Sequence, residues 1–403
     1  MKRWLTIIGV GDDGLVDLPA VTLDHLRHAN LIVAPDRLLK TGDFPQAELR
    51  FWSACFDETL ALILERRDTP VCLIATGDPM YFGIGATLSR HFGAEEMLVL
   101  PAPSAFSLAA ARLGWALQNV DCLSLHGRSC DNLNKYLSPG RRVLALTASH
   151  ETVREAAHVL EKSGYGQSRL TVLEHMGGLS ERRIDLSVGD AKTHKGADFN
   201  TLAIECVPDL DCRVLPTIAG LPDDAFEHDG QLTKRKVRAA SLAALAPYPN
   251  AVLWDVGAGC GSIAIEWMRS TRGARAFAIE DKDVRRAMIR TNATRLGVPE
   301  LTIVAGSAPE ALAGLPAPDA VFIGGGVNEP NLFEACFETL KPGGRLVANA
   351  VTVEGEARLI DLHQVWGGAL SRIAVSRAEP VGKFLAFKPM MPVTMLVIEK
   401  DRA

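Results

Sequence analysis

The sequence has no C-x-x-C pair among its eight cysteines, Cys55, Cys72, Cys122, Cys130, Cys206, Cys212, Cys260 and Cys336. That excludes a zinc ribbon and a dithiol redox motif, and the residues read as reduced thiols of a cytoplasmic protein. It also lacks an excess of cations. Forty-three Lys and Arg stand against 48 Asp and Glu, a formal charge of -5, so no global basic field is present to hold a nucleic-acid backbone. Apolar runs of about 18 residues are missing, so no membrane-spanning helix is expected. The opening Met1-Lys2-Arg3 precedes a run that breaks at Gly9 and Asp12-Asp13, too early for a signal segment. Neither His, Cys nor carboxylates cluster at ligand spacing, so no metal is expected, and the ten histidines suggest no nucleophilic triad.

What is present is ordinary globular usage, 47% hydrophobic and 23% charged, over 403 residues, enough for two or three domains. Short β-branched runs alternate with helix-period segments, the pattern of parallel sheets covered by helices. The fold class is α/β. Strands are expected at 4–10, 31–33, 70–75, 97–100, 122–125, 142–146, 169–174 and 201–207, with helices near 20–28, 58–65, 104–113 and 152–163. Pro208 to Gly230 has no clear period, and its prolines and acids mark a linker. Residues 1–207 would form a first domain of two lobes, 1–117 and 118–207, and residues 231–403 a second. The second opens with a helix from Lys234 to Leu245, then strands at 251–256, 275–279, 301–304, 320–323, 345–350, 370–376 and 394–399.

The sharpest signal is Val252-Leu253-Trp254-Asp255-Val256-Gly257-Ala258-Gly259-Cys260-Gly261-Ser262, a strand entering a glycine-rich turn that opens a helix. Such glycines let the backbone approach a ligand or take positive φ. About twenty residues on, the next strand ends in Ile279-Glu280-Asp281, which puts a carboxylate where it can accept ribose hydroxyls. A dinucleotide fingerprint would space the glycines G-x-G-x-x-G instead. The spacing G-x-G-x-G with Asp255 before it resembles motif I of the class I S-adenosylmethionine (SAM) methyltransferases, as does Lys341-Pro342-Gly343-Gly344 before a late strand. The resemblance implies cofactor contacts from Asp255, Gly257, Gly259, Gly261, Glu280, Gly306 and Ser307, with Thr233 ahead of them, and substrate contacts from Gly324 and Gly325. The plainer alternatives are a tight strand-to-helix turn with Glu280 as a helix cap, or a nicotinamide dehydrogenase.

The first half carries different pieces: Gly9-Val10-Gly11 after the first strand, Gly77-Asp78-Pro79-Met80-Tyr81, Pro101-Ala102-Pro103-Ser104, and Leu125-His126-Gly127-Arg128. Each ends a predicted strand, where ligands of open α/β sheets bind. Singly they are a common turn, a helix N-cap and a lone histidine. Together and in order they resemble the tetrapyrrole (corrin and precorrin) methylases, whose two lobes hold SAM in a cleft. That resemblance implies cofactor contacts from Gly9, Gly77, Asp78, Pro79, Ser104, His126 and Gly127. In the first turn Asp13 stands where many members have Gly.

The pairing implies an N-terminal two-lobed tetrapyrrole methylase fold followed by a C-terminal class I SAM methyltransferase Rossmann-like fold. It is similar to the fused methylase and decarboxylase enzymes that modify precorrins in aerobic cobalamin biosynthesis. The implied activity is methylation at ring carbons 5 and 15 with loss of the carbon-12 acetate carboxyl, using two SAM sites per chain and no metal. A homo-oligomer through the C-terminal domain is expected, with a tetrapyrrole as the small-molecule partner and neither nucleic acid nor membrane. A class I RNA or protein methyltransferase with an N-terminal specificity domain remains an alternative, as does a nucleotide-binding sensor. The Asn/Asp-Pro-Pro-Tyr/Phe motif of amino-directed methyltransferases is missing after Ile323, where Gly324-Gly325-Gly326 stands.

Thr233-Lys234-Arg235-Lys236-Val237-Arg238 is read as the cap and first turn of a helix. Cations there oppose the helix dipole, by roughly 0.3 to 1 kcal/mol each. Either Lys234, Arg235 and Arg238 meet substrate carboxylates, or they form a solvated face answering Asp223, Asp224, Glu227 and Asp229.

Overall fold

The computed structural model describes residues 3–16, 18–39, 43–53 and 55–402; Met1 and Lys2, part of the opening read for targeting, lie outside them. Among the described residues no helix is long and apolar enough to cross a membrane. The chain divides into two compact units, Met1–Cys130 with Ser138–Cys212, and Asp131–Leu137 with Arg213–Ala403.

The first unit holds two five-stranded sheets. The first sheet contains β1 (Leu5–Val10), β2 (Leu31–Ala34), β3 (Glu48–Phe51), β4 (Val71–Thr76) and β5 (Met97–Leu100). All pairs are parallel, in the order β3-β2-β4-β1-β5. Every residue of β1 is buried, which is why it shows no alternation of apolar and polar residues. The edge strand β3, Glu-Leu-Arg-Phe, is half exposed and has no such run, so sequence pattern misses it.

The second sheet contains β6 (Asp121–Ser124), β7 (Arg142–Leu146), β8 (Arg169–Glu174), β9 (Arg182–Ser187) and β10 (Asn200–Glu205), ordered β6-β7-β10-β8-β9. Here the expectation of parallel strands is corrected: only β6 and β7 run parallel, while β10 is antiparallel to β7 and β8, and β8 to β9. The connection from β8 to β9 is too short for a helical crossover, so the chain turns straight back. Helix Ala105–Leu113 buries Phe106, Ala109 and Ala110 in a core with Leu144, Leu173 and Ala203 of this sheet.

The second unit is built on seven strands: β11 (Val252–Val256), β12 (Arg275–Glu280), β13 (Thr302–Ala305), β14 (Ala320–Ile323), β15 (Arg345–Ala350), β16 (Ala369–Ile373) and, after a hairpin of β17 (Ser376–Val381) and β18 (Phe384–Pro389), β19 (Val393–Glu399). Their order is β13-β12-β11-β14-β15-β19-β16, with β19 antiparallel to both neighbours. The strand expected over 370–376 therefore ends early, and the chain leaves the sheet as the hairpin. Strand order reverses between β11 and β14, the point where open α/β sheets bind ligands. Residues 213–230 are not a free linker. Leu221, Ala225 and Phe226 are buried in the core with Leu253, Ile263 and Trp267, and Glu266 accepts the backbone N–H groups of Gly220 and Leu221.

Candidate functional site

In the second unit β11 is buried from end to end and delivers the chain to a turn in which Gly257, Gly259 and Gly261 all have left-handed φ, 69°, 59° and 80°. Only the first two face a ligand space. A Cβ on Gly257 would come within 3.4 Å of the Gly325 carbonyl oxygen, so this glycine lets the β11 turn meet the β14 turn at the switch point. Gly261 instead packs: a Cβ there would lie 3.0 Å from Ile289 Cγ2.

Around this point opens a cavity of about 1130 Å3. It gathers Thr233, Lys234, Asp255, Gly257, Gly259, Glu280, Gly306, Ser307, Gly324 and Gly325 from five segments far apart in the chain. Gly261, Arg235 and Arg238 are not part of its lining. The volume exceeds the few hundred Å3 that suffice for a small ligand, and leaves room beyond a nucleoside.

Two carboxyls organise the floor. Asp255 is fully enclosed, and its Oδ2 accepts the Ala264 N–H at 3.0 Å; burial pushes it up to about 7, with the nearby Glu280 adding to the rise. Glu280 Oε2 accepts the Gly259 N–H at 2.8 Å and Oε1 the Lys282 N–H at 3.1 Å, so the carboxyl ties the end of β12 to the glycine turn. Burial raises its pKa as well. Each carboxyl oxygen has a second lone pair, so the site can still accept ribose hydroxyls. The following helix, Asp283–Arg295, has Lys282 at its cap position, so Glu280 is not its N-cap. Cys260 also lines the cavity, its thiol pushed up to about 11 by burial.

Two expectations for the basic helix are corrected. It spans Arg235–Leu245 with Lys234, not Thr233, at the cap position and no side-chain cap. The carboxylate of Asp223 accepts the Arg235 N–H at 2.8 Å instead, bringing a negative charge from residues 213–230 to the positive end of the helix. Arg238, expected to meet a substrate carboxylate, is 0% exposed. Its guanidinium donates to Glu266 at 2.5 Å, to Asp223 at 3.2 Å and to the backbone carbonyls of Thr233 and Leu221, and it lies over the Phe226 ring. Four of its five N–H groups are engaged, and the enclosed side chain does not line the cavity.

Of the basic group, Lys234 lines the cavity and Arg235 points to solvent. Lys236, Arg285 and Arg377 join the cavity without having been singled out from sequence, as do Asn349, Met390 and Met391. Arg377 sits on β17, whose residues are exposed throughout, so no alternation marks one face as functional. Lys236 was within reach of the reading, two positions from Lys234 in the same basic run.

In the first unit Gly9, Gly77 and Ser104 converge at the ends of β1, β4 and β5. A Cβ on Gly9 would fall 2.1 Å from the Gly77 carbonyl oxygen and 2.5 Å from the Ala102 nitrogen. The Gly77 N–H donates to Val10 at 2.8 Å. Asp78 Oδ1 accepts the Met80 N–H at 2.8 Å, closing the turn that Pro79 continues. Tyr81 and Phe82 pack on Phe106 at 5.0 and 5.7 Å, which seats that turn on helix Ala105–Leu113. Ser104 caps that helix, its Oγ accepting the Ser107 N–H at 3.1 Å. His126 and Gly127 stand apart in sequence, exposed beyond β6 of the second sheet. Among the described residues no group of three or more His, Cys, Asp or Glu could hold a metal ion.

Comparison with known proteins matches residues 4–192 to the tetrapyrrole (corrin/porphyrin) methylases and residues 224–400 to a precorrin methyltransferase domain. A precorrin-6Y C(5,15)-methyltransferase (decarboxylating) of Sinorhizobium sp. is 47% identical over 395 residues, 98% of this chain and 96% of that protein. One of the same description from Mycobacterium tuberculosis is 38% identical over 408 residues, 98% of this chain and 100% of that protein. The crystal structure of the C-terminal domain of precorrin-6Y C5,15-methyltransferase from Rhodobacter capsulatus is 43% identical, with a TM-score of 0.44, over 46% of this chain and all of that one.

Proposed function

The chain belongs to the precorrin-6Y C(5,15)-methyltransferase (decarboxylating) family, methyltransferases of cobalamin biosynthesis, and from that premise we propose how its two units divide the work. The N-terminal unit methylates carbon 5 of precorrin-6Y. The C-terminal unit methylates carbon 15 and removes carbon dioxide from the carbon-12 acetate, giving precorrin-8. Each unit has its own SAM site, and the protein works in the cytoplasm without a metal.

The observation that carries the C-terminal assignment is the cavity at the β11/β14 switch point, with Glu280 bonded to the glycine turn at 2.8 Å. The left-handed glycines leave the cradle open to a nucleoside, and Gly306, Ser307 and Glu280 form its β12 and β13 side. SAM, when bound, supplies an electrophilic methyl group. The protein's part is to hold the electron-rich macrocycle in line with it and to exclude water, a large entropic contribution. Lys234, Lys236 and Arg377 give the cavity cations for acetate and propionate arms. Asp255 and Cys260 line it with pKa values raised by burial to about 7 and about 11, so the cavity can retain protons for the carbon that loses its carboxyl.

Incubation with SAM and precorrin-6Y should yield a product with two methyl groups gained and one carbon dioxide lost. Glu280→Ala should weaken SAM binding in the C-terminal unit by about 1 to 3 kcal/mol, the scale of charged hydrogen bonds lost from a ribose. Carbon-5 methylation should persist. Titration calorimetry reads the affinity, and an unchanged value removes Glu280 from the cofactor site.

Self-association through the C-terminal unit completes the proposal. Among the described residues β17 and β18 pair only with each other, and the hairpin exposes Val381, Phe384, Leu385 and Phe387, an apolar surface that a second copy would cover. Phe384→Asp with Phe387→Asp should lower the mass measured by sedimentation to that of one chain. Wild-type protein that already sediments as one chain at micromolar concentration contradicts this.

A further inference from the structure

The loops that close one edge of the first unit hold a cluster that none of the cofactor turns uses. Asp12 follows β1, Arg37 follows β2, His175 follows β8 and Phe199 precedes β10, so two residues come from each sheet. Asp12 Oδ1 accepts from Arg37 Nη1 at 2.6 Å, and Asp12 Oδ2 lies 3.0 Å from His175 Nδ1. The Arg37 guanidinium sits 4.4 Å from the centre of the Phe199 ring, and the His175 and Phe199 rings are 5.6 Å apart. His175 holds a left-handed φ of 48°, uncommon for a non-glycine residue although His adopts it more readily than most. A Cβ on Gly178 would lie 2.7 Å from Asp12 Oδ2, so the loop after β8 closes tightly over the same carboxylate.

Asp12 is thus a carboxylate held between a guanidinium and an imidazole that both pack on the Phe199 ring. That is the chemistry that would receive a carboxylate from outside. It stands next to the cofactor turns, because Gly9 lies in the strand that Asp12 follows and β4, the strand before Gly77, is hydrogen-bonded to both β1 and β2. Arg37 and His175 keep 39% and 34% of their side chains exposed while Asp12 keeps 12%, so the two receiving groups reach solvent and the carboxylate between them is covered.

We infer that Arg37 and His175 form a station for a carboxylate arm of the tetrapyrrole, with Asp12 occupying it as an internal stand-in until substrate displaces it. The inference rests on the proposal that this unit methylates a precorrin. The exchange replaces one carboxylate by another on the same donors, so charge is conserved. It ties entry of the substrate to release of the loop after β1, which adjoins the candidate cofactor site. A clasp that merely joined the sheets would use the same contacts but would gain nothing from loss of Asp12.

The two roles differ in sign. Asp12→Asn removes the competing charge, so the Michaelis constant for precorrin-6Y in carbon-5 methylation should fall several-fold. Arg37→Gln removes a charged hydrogen bond to the arm, so it should rise about tenfold, with kcat little changed. Carbon-15 methylation and decarboxylation by the same preparations should be unaffected. Fluorescence titration of the full chain with uroporphyrin, a macrocycle bearing acetate and propionate arms, should show the same opposite shifts without turnover. Arg37→Lys, which keeps the charge, should fall between wild type and Arg37→Gln and covers the case in which Arg37→Gln fails to fold. Shifts of both Asp12→Asn and Arg37→Gln in one direction, or no shift, overturn the station. A wild-type chain that transfers no methyl group to precorrin-6Y overturns the functional proposal instead, and the uroporphyrin titration then decides the station alone.

Discussion

Arg238→Met should destabilise the C-terminal unit by about 3 to 5 kcal/mol, the cost of leaving a buried carboxylate without its cation. Glu266 is 2% exposed and would keep its two backbone donors, Gly220 and Leu221, but lose the guanidinium 2.5 Å away. The same change frees the Thr233 carbonyl, which Arg238 anchors, and with it the wall of the cavity at Thr233 and Lys234. Urea unfolding followed through the buried Trp254 and Trp267 measures the loss. Arg238→Met combined with Glu266→Gln should recover part of it, since neither variant position then carries a buried charge. A single substitution that costs less than about 1 kcal/mol would be in the range of an exposed ion pair and would contradict this account.

Arg238 also shows where sequence reasoning stopped short. Charge type and proximity grouped it with Lys234 and Arg235, but its helical position groups it with Ser241, Leu242 and Leu245, three, four and seven residues on, all buried. That spacing is the buried stripe of a helix, and it was available in the sequence. What was not available was Glu266, whose distance in the chain gives no sign that it would meet Arg238.

The strands that pattern located well are those buried on both faces, such as β1, β11 and β14. Those it missed, β3, β9 and the β17–β18 hairpin, keep much of their surface in water; charged residues interrupt β3, β9 and β17, while β18 has four consecutive apolar residues and was missed all the same. The glycine turn was legible because backbone approach constrains residue type directly, and Gly257 and Gly259 line the cavity. The cationic rim was only half legible, because Arg285 and Arg377 reach the cavity from segments whose position depends on the fold. The same limit applies to Asp12. The departure noticed in the first turn was at Asp13, one residue on, and His175, the partner of Asp12, is brought beside it only by the packing of the second sheet.

The largest functional effect should come from Gly9→Ala. The added methyl would fall 2.1 Å from the Gly77 carbonyl oxygen and 2.5 Å from the Ala102 nitrogen, both backbone atoms that cannot swing away as a side-chain end could. Relieving such overlap by shifting strands costs about 1 to 3 kcal/mol or more. The segments that would have to move are the two that carry Gly77-Asp78 and Ala102 to Ser104, so the cofactor turns are displaced even where the unit stays folded. Carbon-5 methylation should fall at least a hundredfold, the rate loss expected when reacting groups are misplaced by about 1 Å. The C-terminal unit has its own turns and should continue, so the accumulating product should show one methyl group gained and one carbon dioxide lost. Gly259→Val provides the mirror experiment. Its φ of 59° is strained for any β-branched residue, and its N–H is the one that Glu280 holds. That variant should give a species with one methyl group gained and no carbon dioxide lost. Mass spectrometry of the two products separates the units, because a decarboxylated product from Gly259→Val, or retention of the carboxyl in Gly9→Ala, would place the decarboxylation in the other half of the chain.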